Sequence, residues 1–400
     1  YFSRTFETPT DQDVWTLSWW MKTGNMANAV RGIMASAASN SSIIYVTRLN
    51  IYIYFNGAQG FVFDVDDPSQ WQNIILTCNS GTLTCYWNGV SRGTASVNMG
   101  DFNSAVAHTV GSYNGSGSPF DGYMADFIFV DGTVHSTSVF GQTDTSTNRW
   151  IPKDPTITLD EASDFGNNGF YLNFADSSAL GDDISGNNHD FTNNNTVTQS
   201  TDSPTTNFAV LDPTFCYAAP TAGNLVMDGS ASYSSNVATL GLTSGKWYWE
   251  MTCGSTAGSP MMGVVPFDQK NKAQYPGQAA NGIGWDGGTV YRNNATLISS
   301  YGSAMANGQV NAVMLDLDST PQTITFRQAN SQLATIGLDA NTTWFPYFRN
   351  GGTADASNAT LNFGASSFTY TPPTDFIALS QDNFVGTDQF ISAFSWIKNR

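Results

Sequence analysis

Gly245-Lys246-Trp247-Tyr248-Trp249-Glu250-Met251 decides how the second half of this chain folds. Aromatic residues favour strands. The side chains of a strand point alternately to its two faces. Trp247 and Trp249 therefore share one face, and Tyr248 and Glu250 share the other. The pattern predicts a strand with its tryptophans in a core and Glu250 on the solvent side or at the rim, in a structural role. Leu361-Asn362-Phe363-Gly364 and Phe368-Thr369-Tyr370-Thr371-Pro372-Pro373 close the same region with further short runs.

The same grammar extends to both ends. Short β-branched and aromatic runs occupy residues 15–21, 49–55, 72–78, 83–87 and 123–130. Turn dipeptides punctuate the chain: Asn56-Gly57, Asn88-Gly89, Asn114-Gly115, Asp131-Gly132, Asp286-Gly287, Asn307-Gly308 and Asn350-Gly351. Asn, Asp and Gly accept the positive φ that tight hairpins need. Helical periodicity is nearly missing. The expectation is an all-β protein of sandwiches or barrels.

With 400 residues there is room for two or three domains. Only 12% of residues are charged, and the net charge is −17 with just three Glu: Glu7, Glu161 and Glu250. Nucleic acid and anionic membrane surfaces are poor partners for such a chain, because phosphate binding needs clustered Lys and Arg. No window approaches the roughly 18 apolar residues of a membrane span, and no signal peptide is evident. The start at Tyr1 and the strand-like run at 390–398 suggest a piece of a longer polypeptide.

Cys78, Cys85, Cys216 and Cys253 lack the spacing of a zinc site. A turn at Ser80-Gly81 would set Cys78 opposite Leu83 rather than Cys85. All four are expected to be free, buried thiols, as in a reducing cytosol.

Trp71-Gln72-Asn73-Ile74-Ile75-Leu76-Thr77-Cys78, a turn, and Leu83-Thr84-Cys85-Tyr86-Trp87-Asn88-Gly89 resemble the laminin-G/concanavalin A-like jelly roll. Trp15-Thr16-Leu17-Ser18-Trp19-Trp20-Met21-Lys22 resembles that family's early strand. Residues 122–153 and 169–213 resemble a connector block found in virion proteins of tailed bacteriophages. Residues 193–206, rich in Asn, Thr and Ser with Pro204, read as a linker. Beyond it, an ordered set resembles the SPRY (B30.2-like) sandwich: Asn224-Leu225, residues 245–251, Gly263-Val264, residues 282–285, residues 310–318 with Leu315-Asp316-Leu317-Asp318, residues 323–326, residues 344–347 and Asn362-Phe363-Gly364. Gln309 departs from the Asp often found there. Thr387-Asp388-Gln389 before Ser395-Trp396 repeats the spacing of Thr10-Asp11-Gln12 before Ser18-Trp19. The organisation expected is a jelly roll with connector at 1–200, a SPRY-like sandwich at 203–375, and the truncated start of a further jelly roll at 376–400.

Enzyme chemistry finds little support. Jelly-roll glucanases carry paired carboxylates in a Glu-x-Asp-x-x-Glu pattern, and three scattered Glu cannot form one. His108, His135 and His189 lie in separate segments, and no Gly-x-Ser-x-Gly elbow leads into a helix. Oxygen ligands do cluster, at Asp64, Asp66 and Asp67 and more densely in the 182–190 loop. There Asp182, Asp183, Asn187 and Asp190 are the best candidates for a structural Ca²⁺. Aromatic residues in loops, with polar neighbours, could face a ligand. Tyr113, Tyr275, Trp285, Tyr291 and Tyr301 are the candidates, with Arg292. The SPRY resemblance implies that Tyr275, Trp285, Tyr291 and Arg292 lie near a partner-binding loop face.

Together these imply a non-enzymatic structural protein of a tailed-phage virion, at the particle surface as fibre, spike or capsid decoration. Its partners would be other virion proteins, further copies of itself (a trimer is favoured) and a host-surface glycan or protein, bound with avidity. Two alternatives differ in class. One is a purely structural brace of capsid or tail. The other is a secreted bacterial carbohydrate-binding module.

Overall fold

The computed structural model describes all residues except 25–28, 37–41, 48–49, 66, 114, 116, 146, 196, 217, 228–234, 255–259, 272, 339–341, 350–358, 385–390 and 393–400, with only backbone for 391–392. The chain divides into two compact units. The first holds Tyr1–Asp66 and Gln70–Thr205, the second Asp67–Ser69 and Thr206–Arg400. Both are antiparallel β structures. The one α-helix among the described residues is Ala162–Phe165.

The first unit is a two-sheet sandwich. One sheet orders its strands Thr192–Asn193, Phe2–Thr5, Ala107–Val110, Arg31–Ser36, Ile43–Thr47, Asn50–Phe55 and Ala58–Asp64. The other runs Phe170–Leu172, Gly122–Asp131, Val14–Thr23, Gln72–Asn79, Thr82–Trp87 and Val90–Ser96. Trp15, Leu17, Trp19, Ile51, Ile53 and Phe55 meet in the core between them. Tight turns set the registers: Asn56 and Gly57 have φ of 49° and 74°, and Asn88 and Gly89 have 48° and 75°. These are the paired positive values of a type I′ hairpin. Cys78 pairs with Leu83. All four cysteines are free, and Cys216 is only partly buried, unlike the other three.

The connector has a packing role. Val139, Phe140, Leu159 and Phe165 form an apolar cluster with Ile75, Ile128, Val130 and Tyr171. Phe127 and Phe129 belong to the inner core while Ile128 and Val130 belong to this cluster. The Gly122–Asp131 strand is thus buried on both faces over this stretch. Trp150 adds a lid: its indole Nε1 donates to Asn73 Oδ1 at 3.0 Å. A Cβ at Gly141 would stand 2.4 Å from that ring, so no larger residue fits.

In the second unit, one sheet orders Leu211–Cys216, Ser235–Ala238, Trp344–Arg349, Met261–Pro266, Ile283–Trp285, Thr289–Arg292 and Ala295–Ser299. The other runs Val226–Met227, Ala359–Asn362, Lys246–Thr252, Val310–Asp316, Thr323–Gln328 and Ser331–Gln332. Trp247, Trp249 and Met251 enter the main core, as the alternation requires. Tyr248 faces the other way, toward Ala312, Met314, Phe368 and Phe376.

Glu250 corrects the expectation of a solvent-side residue: it is 2% exposed. The segment after Phe363 crosses the outer face of the sheet, and Glu250 binds it. Its carboxylate accepts from Thr369 N at 2.8 Å, Tyr370 N at 2.9 Å and the Tyr248 hydroxyl at 2.9 Å. A carboxylate can be buried where charge-assisted donors surround it. The chain then runs on as part of the same unit. Ile377 bridges to Trp247, Leu379 is in the core, and Phe384 lies against Trp247 at 4.8 Å. Residues 376–384 therefore complete the second sandwich rather than open a third domain. The repeat read at 387–389 and 395–396 lies outside the described residues.

Candidate ligand-binding site

A row of tyrosines stands on the outer face of the first unit's seven-stranded sheet. Along Asn50–Phe55 burial alternates, with Ile51, Ile53 and Phe55 fully buried and Tyr52 and Tyr54 half-buried. Tyr45 pairs with Tyr52 across the Ile43–Thr47 strand. The Tyr45 and Tyr52 rings are 4.9 Å apart and nearly parallel, at 8°. Tyr54 lies 6.0 Å from Tyr45 and 6.5 Å from Tyr52, also stacked. Tyr113 closes one end, meeting Tyr45 edge-on at 5.9 Å.

Strand side chains stand roughly perpendicular to their sheet. Rings stacked on one another in that posture present edges and hydroxyls outward. The rim is polar: the Tyr54 hydroxyl donates to Gln59 Oε1 at 2.9 Å, and Asn50 Nδ2 donates to Asp64 Oδ1 at 2.7 Å. Burial, reinforced by the neighbouring tyrosines, pushes the Tyr45 phenol up to about 12, so Tyr45 is uncharged at neutral pH.

Gly32 makes room for this arrangement. Its strand neighbour is Tyr45, and its N–H donates to Ser118 O at 2.9 Å. The loop carrying Tyr113 lies directly on it, so an ideal Cβ at Gly32 would be 2.0 Å from Tyr113 N.

Of the residues expected to bind, Tyr113 alone belongs to this row. Tyr45, Tyr52 and Tyr54 were missed because strand aromatics were assigned to the core. Asn50-Ile51-Tyr52-Ile53-Tyr54-Phe55 carried the signal, with aliphatic residues on one face and tyrosines on the other. The other candidates lie in the second unit. Trp285 is a core strand residue, not a loop residue: it is fully buried, with its indole donating to Tyr301 O at 2.9 Å. Tyr301 is buried too and donates to Ala334 O. Their large apolar surfaces fill the interior beside Phe326. Tyr275 and Tyr291 are half-buried and meet edge-on at 5.8 Å. The Arg349 guanidinium lies 5.4 Å over the Tyr275 ring. Arg292 is tied to Gly337 O.

The 182–190 loop is held by its own hydrogen bonds. Asp183 Oδ1 accepts from Tyr171 N and Ser185 N, and Oδ2 accepts from the Ser185 hydroxyl and His189 N. Asp190 Oδ1 accepts from Asp183 N. Asn187 spends its amide on Gly166 O and Gly169 O. Asp182 is exposed. Donors thus fill both Asp183 oxygens and one of Asp190, because an Asp beside turn N–H groups stabilises the turn directly. Asp64 and Asp67 are likewise paired, with Asn50 and Ser69, while Asp66 lies outside the described residues. Among the described residues, no group of three His, Cys, Asp or Glu side chains could hold a metal ion.

His108 is fully buried, stacked on Phe6 at 3.8 Å. His189 braces Gly169 O.

Residues 4–140 match the Concanavalin A-like lectin/glucanases superfamily. No curated protein matches the chain. Among solved structures, the SPRY domain of human HERC1 is 15% identical, with a TM-score of 0.33, over 38% of this chain and 96% of that one. The TRIM65 PSpry domain is 16% identical, with a TM-score of 0.31, over 39% and 92%. Stonustoxin is 11% identical, with a TM-score of 0.29, over 38% and 28%. The chain is an all-β protein of tandem β-sandwiches whose first is similar to the concanavalin A-like fold.

Proposed function

We propose that this chain is a non-enzymatic structural protein at the surface of a tailed-phage particle, and that its first sandwich attaches to host-surface glycan. The observation that carries the binding half is the row Tyr45, Tyr52, Tyr54 and Tyr113. Tyrosines offer large, rigid contact area with a hydrogen-bonding tip at low entropic cost. Mutual stacking of Tyr45, Tyr52 and Tyr54, with Tyr113 edge-on at one end, holds the rings in place before any ligand arrives, which lowers the cost of binding. Saccharides present the complement, with hydroxyls beside patches of C–H. Single sites of this kind are weak, so attachment would depend on many copies in one particle. The particle assignment rests on the resemblance of residues 122–153 and 169–213 to the phage connector block.

A glycan array probed with the wild-type protein and with Tyr52→Ala tests the binding half. Binding in the wild type that is lost in the variant supports it. Binding that survives, or no binding at all, refutes the tyrosine row as the site. Immunogold labelling of intact phage tests the placement. Label at fibre tips fits attachment, label spread over the capsid fits bracing, and unlabelled particles end the virion reading.

A further inference from the structure

The geometry points to a second saccharide subsite in the first unit, in the cleft lined by Asp126, Asp154, Asn173 and Tyr171 with Pro152, Pro155 and Ile184. The cleft has a volume of about 460 Å³, enough for one pyranose ring, and it lies on the connector side of the six-stranded sheet.

It begins with a break in a regular strand. Gly122–Asp131 pairs with Val14–Thr23 along its length, except for a register shift between Ala125 and Ile128. Asp126 sits in that bulge with φ of 46°, a left-handed backbone that non-glycine residues adopt only at some cost. Bulges re-aim side chains. Here the bulge sets the Asp126 carboxylate beside Tyr171, whose hydroxyl donates to Oδ1 at 2.8 Å. Among the described residues, Oδ2 has no hydrogen-bond partner. Asp154 caps its own turn through Oδ1, which accepts from Thr156 N and Oγ1, and its Oδ2 is also unpaired. Asn173 Oδ1 accepts from Ala175 N, leaving the amide NH₂ free. Lys153 also lines the cleft, with its ammonium donating to Ser138 O at 3.0 Å.

The cleft therefore offers two carboxylate acceptors and one amide donor over a wall of two prolines, a tyrosine and Ile184. A sugar ring matches this set: vicinal hydroxyls donate to Asp126 and Asp154, another hydroxyl accepts from Asn173, and the C–H face lies on the apolar wall. Burial raises the Asp126 pKa, an effect the Tyr171 hydrogen bond offsets and Asp154 adds to. Donors from a ligand would relieve that cost.

This subsite extends the proposed glycan binding but does not share residues with the tyrosine row. Saturation-transfer NMR on the full chain tests it, with methyl glucoside, methyl galactoside and methyl mannoside as probes. Saturation transfer to at least one glycoside is expected in the wild type, retained in Tyr52→Ala and reduced more than fivefold in Asp126→Gly. Glycine accepts the backbone angle at 126, but the Tyr171 hydroxyl loses its acceptor, so a lower melting temperature is expected and the variant is assayed well below it. Asn173→Leu, which removes the amide donor along with the acceptor of Ala175 N, should weaken the same signal. No transfer to any of the three glycosides, or transfer undiminished in both Asp126→Gly and Asn173→Leu, overturns the subsite. Transfer lost in Tyr52→Ala but kept in Asp126→Gly also overturns it, and leaves the tyrosine row as the site.

Discussion

Gly32 Cα and Tyr113 N are so close that the space where a Cβ would sit at residue 32 is already taken by backbone. The contact is with main chain, which cannot rotate away as a side chain would. Gly32→Ala must therefore lift the loop that carries Tyr113 or distort the sheet at Tyr45. Overpacking of this kind costs about 1–3 kcal/mol. The expected outcome is a lower denaturation midpoint together with weaker glycan binding. Unchanged binding in a destabilised Gly32→Ala protein would separate Tyr113 from the site.

Glu250 fastens the segment at 368–371 to the second sheet. Glu250→Ala leaves two backbone N–H groups and the Tyr248 hydroxyl without their acceptor. Unsatisfied buried donors cost about 1–3 kcal/mol each, partly relieved by water. A loss of about 3 kcal/mol is expected by urea denaturation, with new protease cleavage between 364 and 376. Glu250→Gln keeps an acceptor oxygen and should fall between the two.

His108 gives the first sandwich an acid limit. Burial lowers its pKa from 6.5 to about 4. Its Nδ1 lies 3.0 Å from Val106 O, Phe6 and Phe102 flank the ring, and Asp101 and Arg4 are the nearest charges acting on it. Above pH 6.5 both folded and unfolded chains hold it neutral, and the fold keeps its full stability. Between 6.5 and 4 the unfolded chain binds a proton that the folded chain refuses, so stability falls with pH. The loss reaches about 3 kcal/mol at pH 4. Urea midpoints at pH 7, 5.5 and 4.5 should decline more steeply in the wild type than in His108→Phe. Parallel slopes would show that His108 is not the cause.

Lys22 and Asp202 form an ion pair with both side chains fully buried, 2.8 Å apart, and Trp71 donates to the same carboxylate at 2.7 Å. Removing one partner strands the other charge. Lys22→Met should cost about 3–5 kcal/mol, and the double variant Lys22→Met, Asp202→Leu should recover part of it. Equal stabilities for single and double variants would contradict this.

EDTA should leave the melting temperature of the protein unchanged, because N–H and O–H donors already occupy Asp183. A drop in melting temperature on chelation, reversed by Ca²⁺, would restore the 182–190 loop as a cation site.

Much of the fold could be read directly because strands announce themselves by alternation and hairpins by Asn-Gly. Trp247 and Trp249 face the core, and Cys78 faces Leu83, by pattern alone. The errors arose where a third layer intervenes. Glu250 faces away from the core as its position dictates, yet a segment more than a hundred residues later covers it. Trp285 and Tyr301 sit among turn-forming residues, so they read as loop aromatics. Their burial depends on Phe326, which no local pattern connects to them. The tyrosine row failed in the opposite direction: strand aromatics are usually interior, and only the tertiary pairing of Tyr45 with Tyr52 shows which face is open.

The recognisable block and the physical domain do not coincide in the first sandwich. The family match stops at 140, yet Phe165 and Tyr171 cover Ile75, Ile128 and Val130, and both sheets take a strand from beyond that limit. A fragment cut at 140 would expose those aliphatic side chains and an unpaired edge on each sheet, the two conditions under which β proteins aggregate. The smallest soluble piece should run to about 205, and a ribosome making this chain must hold a sticky, half-covered sheet until the connector emerges.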